Sequence, residues 1–350
     1  MPCRAWKELW RARRAVIAVC AVAISMATLG SVVSAATGLA VQPVPGTELL
    51  FGVACPDAST CEAAGSLPAS AWPNEGAIVR LTKGAPGSSQ AVPGTAAIFG
   101  VTCPGAGTCE AVGFNSSGVV VSITHGIVGK IYHVAGTTVL AAVACARVAT
   151  TCEAVGQEDF PPAGAVVVPI TRGSPGRAQL VRGSVNLTGV ACPAATTCEA
   201  VGANAFPGGP GRGVLAPIIN GTAGRATAVP QTRYLEGIAC QHTACMAVGY
   251  NASGQGVILP VSNGAPGGVQ AVAGTSSLNG VACRGPRTCV AVGQNARDQG
   301  VVVPITNGTP GHATVIPGTT SLNGVTCPRA SMCEAVGNGK TNGVLVQVTI

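Results

Sequence analysis

One string recurs seven times along this chain of 350 residues and limits its fold more than any other feature. A hydrophobic residue and a variable one precede Gly-Val-Ala/Thr-Cys, and a short turn later comes Cys-Glu-Ala-Val-Gly. The copies begin at Gly52, Gly100, Ala142, Gly189, Gly237, Gly280 and Gly324, and their first cysteines lie 42 to 48 residues apart. A period of that size marks a repeat architecture, in which one unit cannot bury its own faces and must stack on its neighbours. Seven units fill residues 36–350, which are read as a single domain with no space for a linker.

Each unit reads as four short strands. In the copy from Leu278 to Gly318, strand A is LNGVAC and strand B is TCVAVG; the polar loop QNARDQ leads to strand C, GVVVPIT. The turn NGTPG then leads to strand D, ATVIP. Val-rich runs of five to seven residues between Asn-Gly and Pro-Gly turns suit hairpins, and 49 Gly with 25 Pro disfavour long helices. Radial stacking buries both faces of such sheets and leaves only short edges, so an all-β, seven-bladed β-propeller with four-stranded antiparallel blades is expected. An open solenoid is the rival. Against it, the last copy stops on a C-type strand at Ile350, while LAVQPVPGT near Leu39 is a D-type strand lacking A, B and C. The ends complement each other, and residues Leu39 to Val44 are expected to pair with the last blade and close a ring.

The repeat, hydrophobic-x-Gly-Val-Ala/Thr-Cys followed by Cys-Glu-Ala-Val-Gly, resembles the seven-bladed β-propeller superfamily over residues 38–350, and in particular secreted bacterial propellers with a cysteine pair in every blade. The resemblance implies the fold and says little about activity. Kelch and WD signatures are absent, as is the Ser-x-Asp-x-Gly-x-Thr-Trp box of sialidase-like propellers; the corresponding turn reads TNGTPG from Thr306. Some propellers of this repeat length are lyases using a metal and a histidine. No counterpart of those residues is readable here.

Fourteen of the 16 cysteines form local pairs: Cys55–Cys61, Cys103–Cys109, Cys145–Cys152, Cys192–Cys198, Cys240–Cys245, Cys283–Cys289 and Cys327–Cys333. If A and B form a hairpin, each pair faces across it with Cα atoms about 4.5 Å apart, within bridging distance. Seven disulfides are therefore expected, each stapling one hairpin. Zinc favours converging pairs, whereas these hairpins belong to different blades.

An oxidising destination agrees with the N-terminus. Arg4, Lys7, Arg11, Arg13 and Arg14 precede an uncharged apolar run from Ala15 to Val33, and Val33-Ser34-Ala35-Ala36 offers a small-residue cleavage site. Residues 1–35 read as a secretory signal peptide, with a retained membrane anchor as the alternative. The location is then secreted or extracytoplasmic, in the cell envelope. Much of the formal +7 charge lies in this segment, since residues 36–350 hold 15 Lys and Arg against 12 Asp and Glu. No nucleic-acid partner is indicated.

Glu follows the second cysteine in five copies, as Glu62, Glu110, Glu153, Glu199 and Glu334, with Met246 and Val290 in the others. Strand alternation turns it away from the channel that strand A lines and toward a neighbouring blade. There a buried carboxylate should accept N–H bonds from a turn. Departures from the repeat concentrate in the B–C loops, which carry Trp72, Phe114, Phe160, Phe206 and Tyr250 and the charges Glu75, Glu158, Asp159, Arg212, Arg297, Asp298 and Lys340. Variable loops on a rigid scaffold commonly bind, and aromatics beside Arg are interface anchors. Phe114 and Tyr250, directly after glycines, could instead fill gaps between blades.

Catalytic patterns are sparse. His125, His133, His242 and His312 occupy unrelated positions, and no G-x-S-x-G elbow, phosphate loop, dinucleotide fingerprint or metal cluster is readable, so no cofactor is implied. The expected function is an exported binding or scaffold propeller, monomeric, that engages a protein or cell-envelope glycan through its B–C loop face. The alternative is an extracytoplasmic hydrolase or lyase acting on carbohydrate, with Glu75, Glu158, Asp159 or Asp298 as acid and base.

Overall fold

The computed structural model describes residues 40–68, 75–146, 151–159, 163–205, 209–286 and 288–349. The expected signal peptide, with Trp72, Phe160 and Phe206, lies outside the described residues. Gly38–Ile350 is a compact unit by itself, built of seven antiparallel sheets. Blade 2 shows the plan: strand A is Ala97–Gly105, B is Thr108–Phe114, C is Gly118–Thr124 and D is Ile127–Val134, hydrogen-bonded in that order. Strand A of the other blades is Leu49–Ala54, Val139–Cys145, Asn186–Ala194, Tyr234–Gln241, Ser277–Gly285 and Ser321–Arg329.

Strand A of each blade lies beside strand A of the next, all the way from blade 7 back to blade 1. The ring is closed, and these strands line its axis. Its seam is the expected one. Ala40–Val44 serves as strand D of blade 7, pairing with Gly343–Thr349 in a register from Ala40↔Gln347 to Val44↔Gly343.

The repeated glycines explain the motif. In every blade, strand A skips one residue before its Gly-Val step, or before Ala142-Val143 in blade 3 and Gly237-Ile238 in blade 5, as at Leu50/Gly52 in blade 1 and Leu322/Gly324 in blade 7, so a β-bulge recurs at this place. The final glycine of Cys-Glu-Ala-Val-Gly lies opposite that bulge. A Cβ on Gly65 would fall 2.0 Å from the Leu49 carbonyl oxygen, and one on Gly249 would fall 2.1 Å from that of Tyr234. No side chain fits there. The other motif glycine faces the next blade, where a Cβ on Gly324 would meet the Phe51 carbonyl oxygen at 2.8 Å and the Gly52 Cα at 3.1 Å. Backbones touch around the axis, which is what lets seven A strands fit there.

The core lies between blades. Ala64 and Ile78 of blade 1 pack on Ile98, Val101, Val119 and Val121 of blade 2, and the same kind of cluster recurs round the ring. Small Ala and Val side chains suit closely spaced sheets, and each fully buried Leu or Ile, such as Ile98 or Leu140, contributes about 1.5–3 kcal/mol. All seven expected disulfides are formed across the A–B hairpins, with Cα–Cα distances of 3.9–4.0 Å.

Strand D departs from expectation. It is continuous in blades 1 and 2, as Ala85–Val92 and Ile127–Val134, but in blade 6 the segment ATVIP yields only Thr314–Val315, and a second short piece, Thr309–Pro310, lies within the expected turn NGTPG. Pro310 cannot donate to the ladder, and Gly311 N–H instead bonds back to the Pro304 carbonyl at 2.7 Å, bending the chain out between the two pieces.

Candidate binding face

Backbone hydrogen bonds define the two ends of the ring. The D–A corners join the ends of strands B, as Glu48 N–H donates to Ser66 and Ala96 N–H to Phe114. These corners and the B–C loops form one end, the loop face. Lys83 N–H donates to Ser59 and His125 N–H to Gly107, so the C–D turns lie against the A–B hairpins at the other end, the turn face.

Buried hydroxyls brace the loop face. In blade 2's corner, the Thr95 hydroxyl donates to the Val92 carbonyl at 2.7 Å and accepts from Gly76 N–H at 3.2 Å. Thr137, Thr232 and Thr319 repeat both bonds. The B–C loops of blades 5 and 6 have their own clasps. Asn251 Oδ1 accepts from the N–H groups of Ser253 and Gln255, and Asn295 Oδ1 from those of Arg297 and Gln299. Loop variability is thus carried on a fixed frame.

Of the loop-face residues expected from sequence, Arg212, Arg297, Asp298 and Lys340 are exposed and Glu75 is half-buried. Arg297 and Asp298 share the blade 6 loop tip, where Asp298 takes a φ of 52°. Glu158 and Asp159 are brought together by Thr138: its hydroxyl donates to Glu158 Oε1 at 3.1 Å and accepts from Asp159 N–H at 2.9 Å. Gln157 Nε2 donates to Asp159 Oδ1 at 2.7 Å. Burial raises the Asp159 carboxyl above its ordinary range, opposed by the Gln157 bond and assisted by the Glu158 charge. Glu75, Arg212 and Lys340 are spread over blades 1, 4 and 7.

Phe114 and Tyr250 are not loop residues. Each closes strand B, because pairing with both A and C continues one residue beyond the motif glycine, at Ala97↔Phe114↔Gly118 and Tyr234↔Tyr250↔Gly256. Their rings stack inside their own blades, Phe114 on Phe99 at 5.5 Å and Tyr250 on Tyr234 at 5.8 Å.

The axial mouth on this face emerges only in three dimensions. The bulge residues, one per blade, are Phe51, Phe99, Ala141, Thr188, Glu236, Asn279 and Asn323, all half-buried. They reach from blade to blade. Thr188 donates to the Leu235 carbonyl at 2.7 Å, Asn279 to Leu322 at 2.9 Å and Asn323 to Leu50 at 2.7 Å, while Phe51 meets Phe99 edge-on at 5.0 Å. At the start of strand A, buried Asn186 Nδ2 donates to the buried Tyr234 hydroxyl of the next blade. The mouth is therefore aromatic at blades 1 and 2 and polar from blade 4 to blade 7. The sequence signal for it is the variable position that directly precedes the Gly-Val step of the repeated motif.

The repeated glutamates sit elsewhere, between blades near the turn face. Each faces the C–D turn of the next blade, so that a Cβ on Gly126 would lie 3.2 Å from Glu62 Oε1 and one on Gly264 would lie 2.8 Å from Glu199 Oε1. The expected neighbour is present. Yet Oε2 of Glu62, Glu110, Glu153 and Glu334 has no hydrogen-bond partner. Burial accordingly pushes the carboxyls of Glu62, Glu110 and Glu153 up to about 7, with the Arg80 charge opposing at Glu62, and raises those of Glu199 and Glu334. Two cavities, of about 320 and 440 Å³, lie in this inter-blade layer, beside Met246 and Pro260 and beside Arg80 and Ser89.

No protein-family model matches the sequence, and no curated protein resembles it significantly. Solved structures do. The hydrazine synthase of Kuenenia stuttgartiensis superposes with a TM-score of 0.66 at 10% identity, covering 92% of this chain and 99% of that one. The WD40 β-propeller domain of Doa1 gives 0.63 at 11% identity, with 88% and 95% covered. YCF48 bound to D1 peptide gives 0.59 at 10% identity, with 90% and 98% covered. At such identities the likeness is one of fold, and the fold of this chain is the seven-bladed β-propeller.

Proposed function

We propose that this chain is an exported binding or scaffold propeller that engages a protein or cell-envelope glycan through its loop face. The observation that carries this reading is the broken symmetry of the axial mouth. Seven nearly identical blades repeat their glycines, disulfides and corner hydroxyls, yet place two phenylalanines on one side of the mouth and Thr, Glu and two Asn on the other. A scaffold requirement would repeat, whereas a surface fitted to one ligand must differ round the ring. Aromatic anchors beside polar donors suit a peptide or sugar chain lying across the mouth. YCF48, which shares the fold, has a D1 peptide bound. Export of the chain by residues 1–35 is supported by seven disulfides, which persist in oxidising compartments.

The test is binding of the purified ring to immobilised envelope glycans and to detergent-solubilised envelope proteins. Replacing Phe51 and Asn323 by Ala should weaken retention of the partner at least about tenfold, as expected for an anchor pair, while replacing Leu180 on the outer edge should not. Equal retention by both variants, with unchanged melting, would refute the loop face as the site. Trp72, Phe160 and Phe206, the loop aromatics expected from sequence, form the second set to replace.

A further inference from the structure

The turn face is net positive among the described residues. Its A–B hairpins and C–D turns, among the described residues, expose Lys83, Arg172, His125 and His242, with Arg284 and Arg329 half-buried among them and Arg329 Nε donating to the Ala58 carbonyl at 2.8 Å. Their sole acidic residue is Asp57, whose carboxylate is already met by the N–H and hydroxyl groups of Ser59 and Thr60. The inter-blade glutamates lie behind this surface, buried or half-buried, with Glu62 nearest Arg80 and Glu110 beside the Arg172–Gly173 turn. The remaining acids, Glu48, Glu75, Glu158, Asp159, Glu236 and Asp298, belong to the loop face or the axial mouth near it. Acidic side chains, Asp57 apart, are thus kept away from the turn face, whereas the loop face holds both signs, with Arg212, Arg297 and Lys340 exposed there.

Backbone conformation singles out part of that surface. All six C–D turns begin with a residue at positive φ, between 49° and 52°, followed by glycine. Blades 4, 5 and 6 use Asn220, Asn263 and Asn307, the residue type best suited to that conformation. Blades 1 and 3 instead use Lys83 and Arg172, which tolerate it less well, and blade 2 uses His125. Three adjacent blades keep exposed cationic or protonatable side chains where the backbone favours Asn. Two aliphatic side chains also protrude beside these turns, Ile127 at 66% and Ile219 at 56% exposure. The chain joins the ring here as well, since Ala40 opens strand D of blade 7 at its turn end, and only residues 34–39 separate it from the apolar run Ala15–Val33.

We infer that the turn face docks on a bilayer surface containing anionic phospholipid. Lys83, His125 and Arg172 meet headgroup phosphates, and Ile127 and Ile219 press into the boundary beneath them. Cations combined with protruding aliphatics distinguish this surface from one that binds a soluble polyanion, which offers nothing for the isoleucines. The loop face then points away from the membrane, toward its partner.

The test uses the self-contained ring, Gly38–Ile350, so that the apolar N-terminal run contributes nothing. Co-sedimentation with vesicles of phosphatidylglycerol and phosphatidylcholine is compared with pure phosphatidylcholine. Binding to the anionic vesicles alone, weakening as salt rises, is expected. The variant combining Lys83→Asn, His125→Asn and Arg172→Asn adopts the residue that blades 4 to 6 use in the same turn. It should melt at or above the parent temperature while losing at least tenfold in vesicle binding. Ile127→Ser with Ile219→Ser should lose severalfold. No binding by the parent ring, or undiminished binding by the triple Asn variant, would overturn the inference. So would unchanged binding of the isoleucine variant together with equally tight capture by soluble dextran sulfate, which would assign the face to a polyanion.

Discussion

Glu62, Glu110 and Glu153 show what one residue position can do when the fold removes water from it. The sequence places a carboxylate after each second cysteine and, through strand alternation, aims it at the neighbouring blade. That the neighbour would offer a glycine turn and leave Oε2 unpaired depends on the angle between blades, which no local pattern encodes. The consequence is a pH dependence of definite sign. With folded values near 7 against an ordinary 4.5, the folded ring holds more protons than the unfolded chain between those limits. The stability this confers is complete below about pH 4.5 and is lost as pH rises through about 7. The melting temperature should fall by several degrees from about pH 5 to about pH 8, and Glu110→Gln with Glu153→Gln should flatten that slope. A parent profile that rises across this interval would contradict the assignment. The Gly of Cys-Glu-Ala-Val-Gly gives the same lesson in reverse, since its repetition is plain in sequence and its cause, a carbonyl oxygen 2.0–2.1 Å from any added Cβ, is visible only opposite the bulge.

At the scale of the element, the hairpins were the most legible part of the chain. Paired cysteines around a short turn, flanked by alternating Val and Ala, fix strands A and B and their disulfide. Strand C was equally clear, with GVVVPIT found as Gly300–Thr306. Strand D was not: it is split at Pro-Gly dipeptides in blades 3, 5 and 6 and at Ala223-Gly224 in blade 4, whereas Pro86-Gly87 in blade 1 leaves Ala85–Val92 continuous with only a shift of register. A broken outer strand is useful, since it denies a free edge to other chains. In blade 2, where strand D is whole, the exposed Lys130 at mid-strand places a charge on the edge instead. Each disulfide closes a very short loop, so replacing Cys145 and Cys152 together by Ser should cost only about 2 kcal/mol. Thermal unfolding should show a small drop in melting temperature with the ring intact. Complete loss of folding would mean that the bridges do more than staple single hairpins.

For the whole molecule, stability depends on closure. Each blade buries its faces only against its neighbours, and the seam between blades 7 and 1 relies on five residues, Ala40–Val44, that donate the last outer strand. Removing residues 38–44 should expose Gly343–Thr349 as an open edge, lower the melting temperature and produce oligomers visible by size-exclusion chromatography. A deletion variant that stays monomeric and melts like the parent would show that closure is dispensable. Seven blades, their strand order and this seam could be read from sequence, because repetition and β periodicity are local regularities that stacking must satisfy. The disulfides could be read for the same reason. The polar and aromatic halves of the axial mouth could not, since Phe51, Thr188, Glu236 and Asn323 lie far apart in the chain and meet only where seven bulges converge on one axis. Nor could the gathering of acids away from the turn face, because a sequence counts charges along a line, whereas antiparallel strands fold that line back and forth and send successive loops to opposite ends of the ring.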